Sequence, residues 1–341
     1  MSLSRTRVTT VLLAALAASL VAVALPERES DGHVGEARIA RFYDDTRSGG
    51  IRTLSVPREP SDPLWSQAWS LRRLGLPGAW APVPGAPAVI VGVVDTGVDA
   101  AHADLAGALL PGYDTLSGGV ASSDENGHGT AVAGVIAARA DNGVGVTGIC
   151  GACLVLPVKV IGAAGTGDGG RIAEGIVWAV DQGARVVNLS IVLDGPEQSV
   201  EAAIRYATDR GVVVVAAAGN GGGLEPTYPA SYPGVIGVAA AQQDGSLYPW
   251  TQRGPWVDVA APGCSPSTAR AGEYTMFCGT SSASASVAGV LALALSLVPA
   301  ATRDDLERAL AETAAPLPGV GAGNVDAAAL VDSLQARSSV P

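Results

Sequence analysis

Five stretches of the chain are almost wholly apolar and rich in β-branched residues: 89–94, 154–161, 186–192, 212–218 and 235–241, with a shorter sixth at 257–260. Runs of this kind predict strands buried on both faces. Between them the apolar positions recur at helical spacing. The spacing predicts helices over 131–139, over 171–182 with Gly183 as the stop, and over 200–210 with Gly211 as the stop. A core helix is expected after Ser281, through the apolar run Val287–Leu295, then surface helices over 303–313 and 326–336. Strands alternating with helices predict an α/β fold: a mainly parallel central sheet with helices on both faces, in three layers. In such sheets ligands collect at the carboxyl ends of the strands. The pattern puts Asp95, Ser190 and Asn220 at or just past such ends, and His128 and Ser281 at helix starts.

Composition narrows the picture. The 341 residues are 48% hydrophobic and 16% charged, which supports a sizeable core. With 44 Gly and 2 Phe, that core must be built of Ala, Val, Leu and Ile in closely packed layers. A net charge of −11, with Lys159 the single lysine, argues against a nucleic-acid partner. No G-x-G-x-x-G follows the first buried strand and no P-loop is present, so nucleotide-binding readings fall away.

The N-terminus reads as an export signal. Arg5 and Arg7 precede an apolar run over 8–23, and Ala22-Val23-Ala24 offers a cleavage site. Cleavage after Ala24 is expected to give a secreted protein, with a surface-anchored form if the signal is retained. Residues 25–61 are polar, with strand-like stretches at 37–43 and 51–56, and read as a short extension or reduced propeptide. A catalytic domain is expected over 62–336 and a tail over 337–341. Export implies an oxidising compartment. The four cysteines allow three pairings. Sequence proximity favours Cys150–Cys153 and Cys264–Cys278, the latter closing a loop worth ~3 kcal/mol. Cys150-Gly151-Ala152-Cys153 also has the form of a redox or half-zinc motif, but no second CxxC accompanies it.

Ser281, His128 and Asp95 are the residue types of nucleophilic catalysis. A serine hydroxyl needs a base to take its proton, and a carboxylate can orient that base. Asn220 could join the Ser281 N–H in stabilising an oxyanion. Each residue alone has a plainer reading. Ser281 would be a helix N-cap, Asp95 a turn cap, His128 a packed core histidine and Asn220 a turn residue.

Taken together, Val93-Val94-Asp95-Thr96-Gly97-Val98-Asp99, Asn126-Gly127-His128-Gly129-Thr130 and Gly279-Thr280-Ser281-Ser282-Ala283 resemble, in that order, the three motifs of subtilisin-like serine proteases. The resemblance runs from about Asp62 to Val331. It implies a secreted serine endopeptidase with Asp95, His128 and Ser281 as its triad and Asn220 at the oxyanion. The alternative within the fold is a catalytically inactive binding protein. Ser190, Val192, Ala217, Ala218 and Gly219 match the walls of the pocket beside the scissile bond. Gly165 and Gly167 match the edge that pairs with extended substrate. Val192 stands where the family has glycine, which narrows that pocket. Ser282, Ala285 and Ser286 depart from the usual methionine, proline and histidine. Asp62, Asp104 and Asn142 match calcium ligands of relatives, oxygen donors suited to Ca²⁺ in a structural role. The resemblance implies no cofactor for the chemistry, a peptide or protein substrate, no membrane partner after signal cleavage, and a monomer.

Overall fold

The computed structural model describes residues 59–80, 88–121 and 123–338. The expected signal, most of the expected extension with its two strand-like stretches, and the last three residues lie outside the described residues.

Two short helices, α1 (Trp69–Arg73) and α2 (Leu76–Ala79), lead into β1 (Ile90–Asp95). Then follow β2 (Tyr113–Asp114), α3 (His128–Ala137), β3 (Leu154–Lys159), α4 (Gly169–Asp181), β4 (Val186–Leu189), α5 (Gln198–Thr208), β5 (Val213–Ala217), β6 (Val235–Ala241) and β7 (Val259–Pro262). A hairpin of β8 (Cys264–Thr268) and β9 (Tyr274–Cys278) precedes α6 (Thr280–Leu297), α7 (Arg303–Thr313), β10 (Gly323–Asn324) and α8 (Ala327–Ser338). Eight strands form one sheet in the order β10-β7-β6-β5-β4-β1-β3-β2, and every pairing in it is parallel.

The alternation of side chains along each strand divides the core in two. Val91, Val93, Val186, Val213 and Val215 join the cluster under α3 and α6. Val94, Val187, Val214 and Ala216 join the cluster under α4 and α5. This is the period of two expected of pleated strands, with each face covered by helices. Gly175 lets α4 lie close on the sheet, since a Cβ there would stand 2.6 Å from Val160 Cγ1. Helix α6 is buried over almost its whole length, from Thr280 to Ser296. It is long and apolar enough to cross a membrane, yet 94% of it is buried inside the fold, which identifies it as a core helix.

The predicted elements recur within a few residues of their expected bounds. The β8–β9 hairpin differs, because the sequence pattern there predicts no strands. Its register pairs Cys264 with Cys278, and those residues are joined. Cys150 and Cys153, both buried, form the second disulfide, so neither offers a free thiolate to zinc. The first links β8 to the residue before Gly279, so it holds the approach to α6 in place.

Candidate active site

The two helices that carry the candidate base and nucleophile start at the carboxyl rim of the sheet. Helix α3 begins at His128, after Gly127 in the left-handed region (φ 99°). Gly129 must be glycine, since a Cβ there would lie 2.1 Å from the Gly97 carbonyl oxygen. That close approach lets the helix start sit directly on the end of β1. His128 Nδ1 lies 2.8 Å from Asp95 Oδ1 and 3.0 Å from Oδ2. Asp95 is fully buried, and also accepts the Thr96 N–H at 2.7 Å. The plainer reading of Asp95 as a turn cap is therefore insufficient. The Phe277 ring meets the imidazole edge-on, with centroids 5.3 Å apart. Burial pulls the His128 pKa down, but the Asp95 charge and hydrogen bond, with a contribution from Asp124, leave it above the ordinary imidazole value.

Helix α6 has Gly279 as its N-cap, with φ 135°, and Ser281 is its second residue. Ser281 is thus not the cap. Asn220, past the end of β5, reaches across instead: its Oδ1 accepts from Thr280 N and Thr280 Oγ1, both at 3.0 Å. Ser282 N and Ala283 N bond to the Gly279 carbonyl. Among the described residues the Ser281 N–H has no hydrogen-bond partner, as expected of a first-turn donor. Asn220 itself is not in the left-handed region; the turn before it is made by Gly219, with φ 104°.

One expectation is not met in this arrangement. The Ser281 hydroxyl donates to the Ser190 carbonyl at 3.5 Å, and among the described residues it makes no hydrogen bond to His128. A serine χ1 has three staggered wells, so the hydroxyl can exchange partners without backbone movement. Catalytic hydrogen bonds are often long before substrate binds. The Ser190 hydroxyl is tied to the first turn of α6, to Ser281 O at 3.2 Å and to Ser284 Oγ at 3.0 Å.

The segments after β4 and β5 flank this position. Val192 Cγ2 lies 3.5 Å from where a Cβ on Gly219 would stand, so the segments 190–193 and 217–219 come close together here. Ala217 and Ala218 are buried in the second of these segments. Gly165 and Gly167 form a tight loop folded against Ile161 at the end of β3. Ser282 Oγ is buried, with no hydrogen-bond partner among the described residues. Ser286 bonds back to the Ser282 carbonyl within the helix.

Asp62, Asp104 and Asn142 converge away from the serine. Asp62 accepts from Asp141 N, Asn142 N and Thr147 Oγ1, and Asp104 from Asn142 Nδ2 and Val146 N. Both carboxylates are buried, and among the described residues neither forms an ion pair. Burial raises the Asp104 pKa, Val146 and Asn142 oppose this, and Asp62 repulsion adds to it. Two buried carboxylates short of positive charge suit a hard cation in their chemistry. Their arrangement is a closed hydrogen-bonded loop: Asn142 turns its amide nitrogen to Asp104 while its oxygen accepts from Val144 N. No group of three or more His, Cys, Asp or Glu side chains among the described residues is disposed to hold a metal.

Sequence reasoning missed Thr96 and Asp124. Asp124 is buried and collects donors from both sides of the Asp95–His128 pair. The signal was its place four residues before His128, just ahead of a helix start.

A parallel α/β sheet with a carboxylate-bound imidazole and a serine at two neighbouring helix starts defines a serine-hydrolase class of architecture. Comparison with known proteins gives the family. The subtilase family profile matches residues 86–334. A thermophilic serine proteinase of Bacillus sp. (strain AK1) is 39% identical over 244 residues, covering 71% of this chain and 60% of that protein. Thermitase of Thermoactinomyces vulgaris is 38% identical over 264 residues, covering 77% of this chain and 94% of thermitase. A solved protease from Pseudoalteromonas arctica PAMC 21717 superposes with a TM-score of 0.75 at 33% identity, covering 81% of this chain and 100% of that one. The chain belongs to the subtilase family and is a serine-type endopeptidase.

Proposed function

We propose that this chain is a secreted endopeptidase that cleaves peptide bonds through an acyl-enzyme on Ser281. The observation that carries the reading is the buried Asp95–His128 bond at 2.8 Å, at the sheet rim that also bears the start of α6. Asp95 fixes the imidazole tautomer, so that Nε2 is the basic nitrogen. His128 takes the Ser281 proton as the hydroxyl attacks the carbonyl carbon, then gives it to the leaving amine. Water, activated by the same imidazole, hydrolyses the ester and frees the serine. The Ser281 N–H and the Asn220 amide stabilise the oxyanion of each tetrahedral intermediate.

Substrate binds as an extended strand along 165–167, with one side chain entering the crevice between Ser190–Val192 and Ala217–Gly219. The narrow gap at Val192 favours small apolar side chains there. Residues 1–24 direct export and 25–61 form a reduced propeptide ahead of a monomeric catalytic domain over 62–336, with 337–341 as its tail. Asp62, Asp104 and Asn142 are the oxygen donors that would hold a structural Ca²⁺ once the Asn142 amide turned its oxygen to them, and such an ion would take no part in the chemistry. The test is labelling of the mature protein by a fluorophosphonate probe. Wild type is expected to label, and Ser281→Ala to lose both labelling and turnover, the latter by on the order of 10⁶-fold. Labelling that persists in Ser281→Ala refutes the assignment, and a folded wild type that never labels is a binding protein.

A further inference from the structure

The rim holds a second buried carboxylate close to His128. Asp124 Oδ1 accepts from Thr96 Oγ1 at 2.8 Å, Gly127 N at 2.7 Å and Asn126 N at 3.1 Å. Its Oδ2 accepts from Thr130 N at 2.9 Å and Thr130 Oγ1 at 2.7 Å. Five donors on one carboxylate exceed what a helix cap requires. The cap residue of α3, Gly127, has no side chain to offer, so Asp124 serves the helix from four positions upstream. What distinguishes it from an ordinary cap is the link to β1. The Thr96 hydroxyl donates to Asp124 and accepts the Gly129 N–H at 2.9 Å. The Thr96 N–H donates to Asp95 Oδ1 at 2.7 Å. Residues on both sides of the imidazole–carboxylate pair are thereby tied to one buried anion.

We propose that Asp124, working through Thr96, is a positioning residue that locks the start of α3, and with it the His128 ring, onto Asp95. The inference rests on His128 being the general base. A rigid frame keeps the imidazole in line when its proton load changes, and the fixed negative charge favours the imidazolium that forms during attack. The Asp124 charge also acts with Asp95 in raising the His128 pKa. The other charged groups around the ring are engaged with one another or with backbone. Lys159 pairs with Glu125, and Asp99 accepts from Ala101 N and Ala271 N. The Arg270 stem packs against Gly127.

The test compares Asp124→Asn, Thr96→Val and Thr96→Ser in the mature full-length enzyme, with rates counted per fluorophosphonate-titratable site. Asp124→Asn is expected to lower kcat roughly ten- to hundred-fold, with KM changed less than about threefold. The acid limb of its kcat/KM profile is expected to move to lower pH. Thr96→Val, which keeps the carboxylate, is expected to lower kcat without moving that limb, and Thr96→Ser to restore it. A folded Asp124→Asn enzyme with wild-type kcat and an unmoved acid limb overturns the proposal. So does a variant that loses thermal stability alone, because that marks a structural cap. If Asp124→Asn does not fold, the threonine pair decides: Thr96→Val with wild-type kcat refutes it. Wild-type labelling with indifferent variants defeats this inference alone, whereas a wild type that never labels defeats the serine reading and this one with it.

Discussion

The starts of α3 and α6 are built alike and capped differently. Each follows a positive-φ glycine that offers no capping side chain, and each borrows a cap from elsewhere. Helix α3 takes a carboxylate, Asp124, from its own approach loop; helix α6 takes a neutral amide oxygen, Asn220, from the end of β5. The difference matches the charge each start would meet on the proposed mechanism. A cation forms on His128, and an anion forms beside Ser281. A carboxylate cap at α6 would cancel the positive end of the helix where it is needed. A neutral cap at α3 would forgo support for the imidazolium. The two helix starts also differ in tightness. His128 is bonded to a buried carboxylate at 2.8 Å, whereas the Ser281 hydroxyl rests on the Ser190 carbonyl at 3.5 Å. The His128 ring is fixed and the Ser281 hydroxyl keeps a rotamer to choose.

The largest test of this contrast exchanges the charge of the α6 cap. Asn220→Asp should cost more than Asn220→Leu, which loses the donor and the neutral cap but adds no charge, and is expected to lower kcat by about 10²–10³. Equal losses would show that the charge of that cap does not matter. Next in size is the staple that delivers the chain to α6. Replacing Cys264 and Cys278 together by serine should destabilise the protein by ~3 kcal/mol, read as a lower Tm and denaturant midpoint. An unchanged midpoint would mean the hairpin register alone holds that approach.

Smaller still is the effect expected at Val192, beside Ser281. Val192→Gly should raise kcat/KM for peptides with a large apolar side chain before the scissile bond, relative to alanine there, by roughly tenfold. A peptide library cleaved with unaltered preference would remove Val192 from the pocket. The smallest effect is in pH. His128 has its folded pKa raised, so the acid limb of kcat/KM should have its midpoint above the ordinary imidazole value of 6.5. Stability runs the other way: what the imidazolium contributes is complete below pH 6.5 and lost as pH rises through the raised value. An acid limb below pH 6.5 would mean that burial outweighs Asp95.

Much of the architecture is legible in the sequence. Stretches such as 212–218 and 235–241 are so uniformly β-branched or small that they read as strands covered on both faces. Asp95 at the end of β1 and His128 at the start of α3 followed from that pattern. The β8–β9 hairpin did not, because Cys264–Thr268 contains Pro266, shows no clean alternation and pairs across a turn with Tyr274–Cys278. Asp124 escaped for a related reason. An aspartate ahead of a helix looks like any cap, and its bond to Thr96, 28 residues upstream, exists only once β1 and α3 are packed.

By itself the sequence determined the layers, the order of the elements and which residue types stand at strand ends and helix starts, since hydrophobic period and turn chemistry are local. Tertiary packing alone decided the partners. It put the His128 ring on Asp95, turned the Ser281 hydroxyl toward Ser190, gave α6 a cap from β5 and gathered five donors on Asp124. A hydrogen bond depends on tenths of an ångström between atoms far apart in the chain, and those distances arise only when whole layers close on one another.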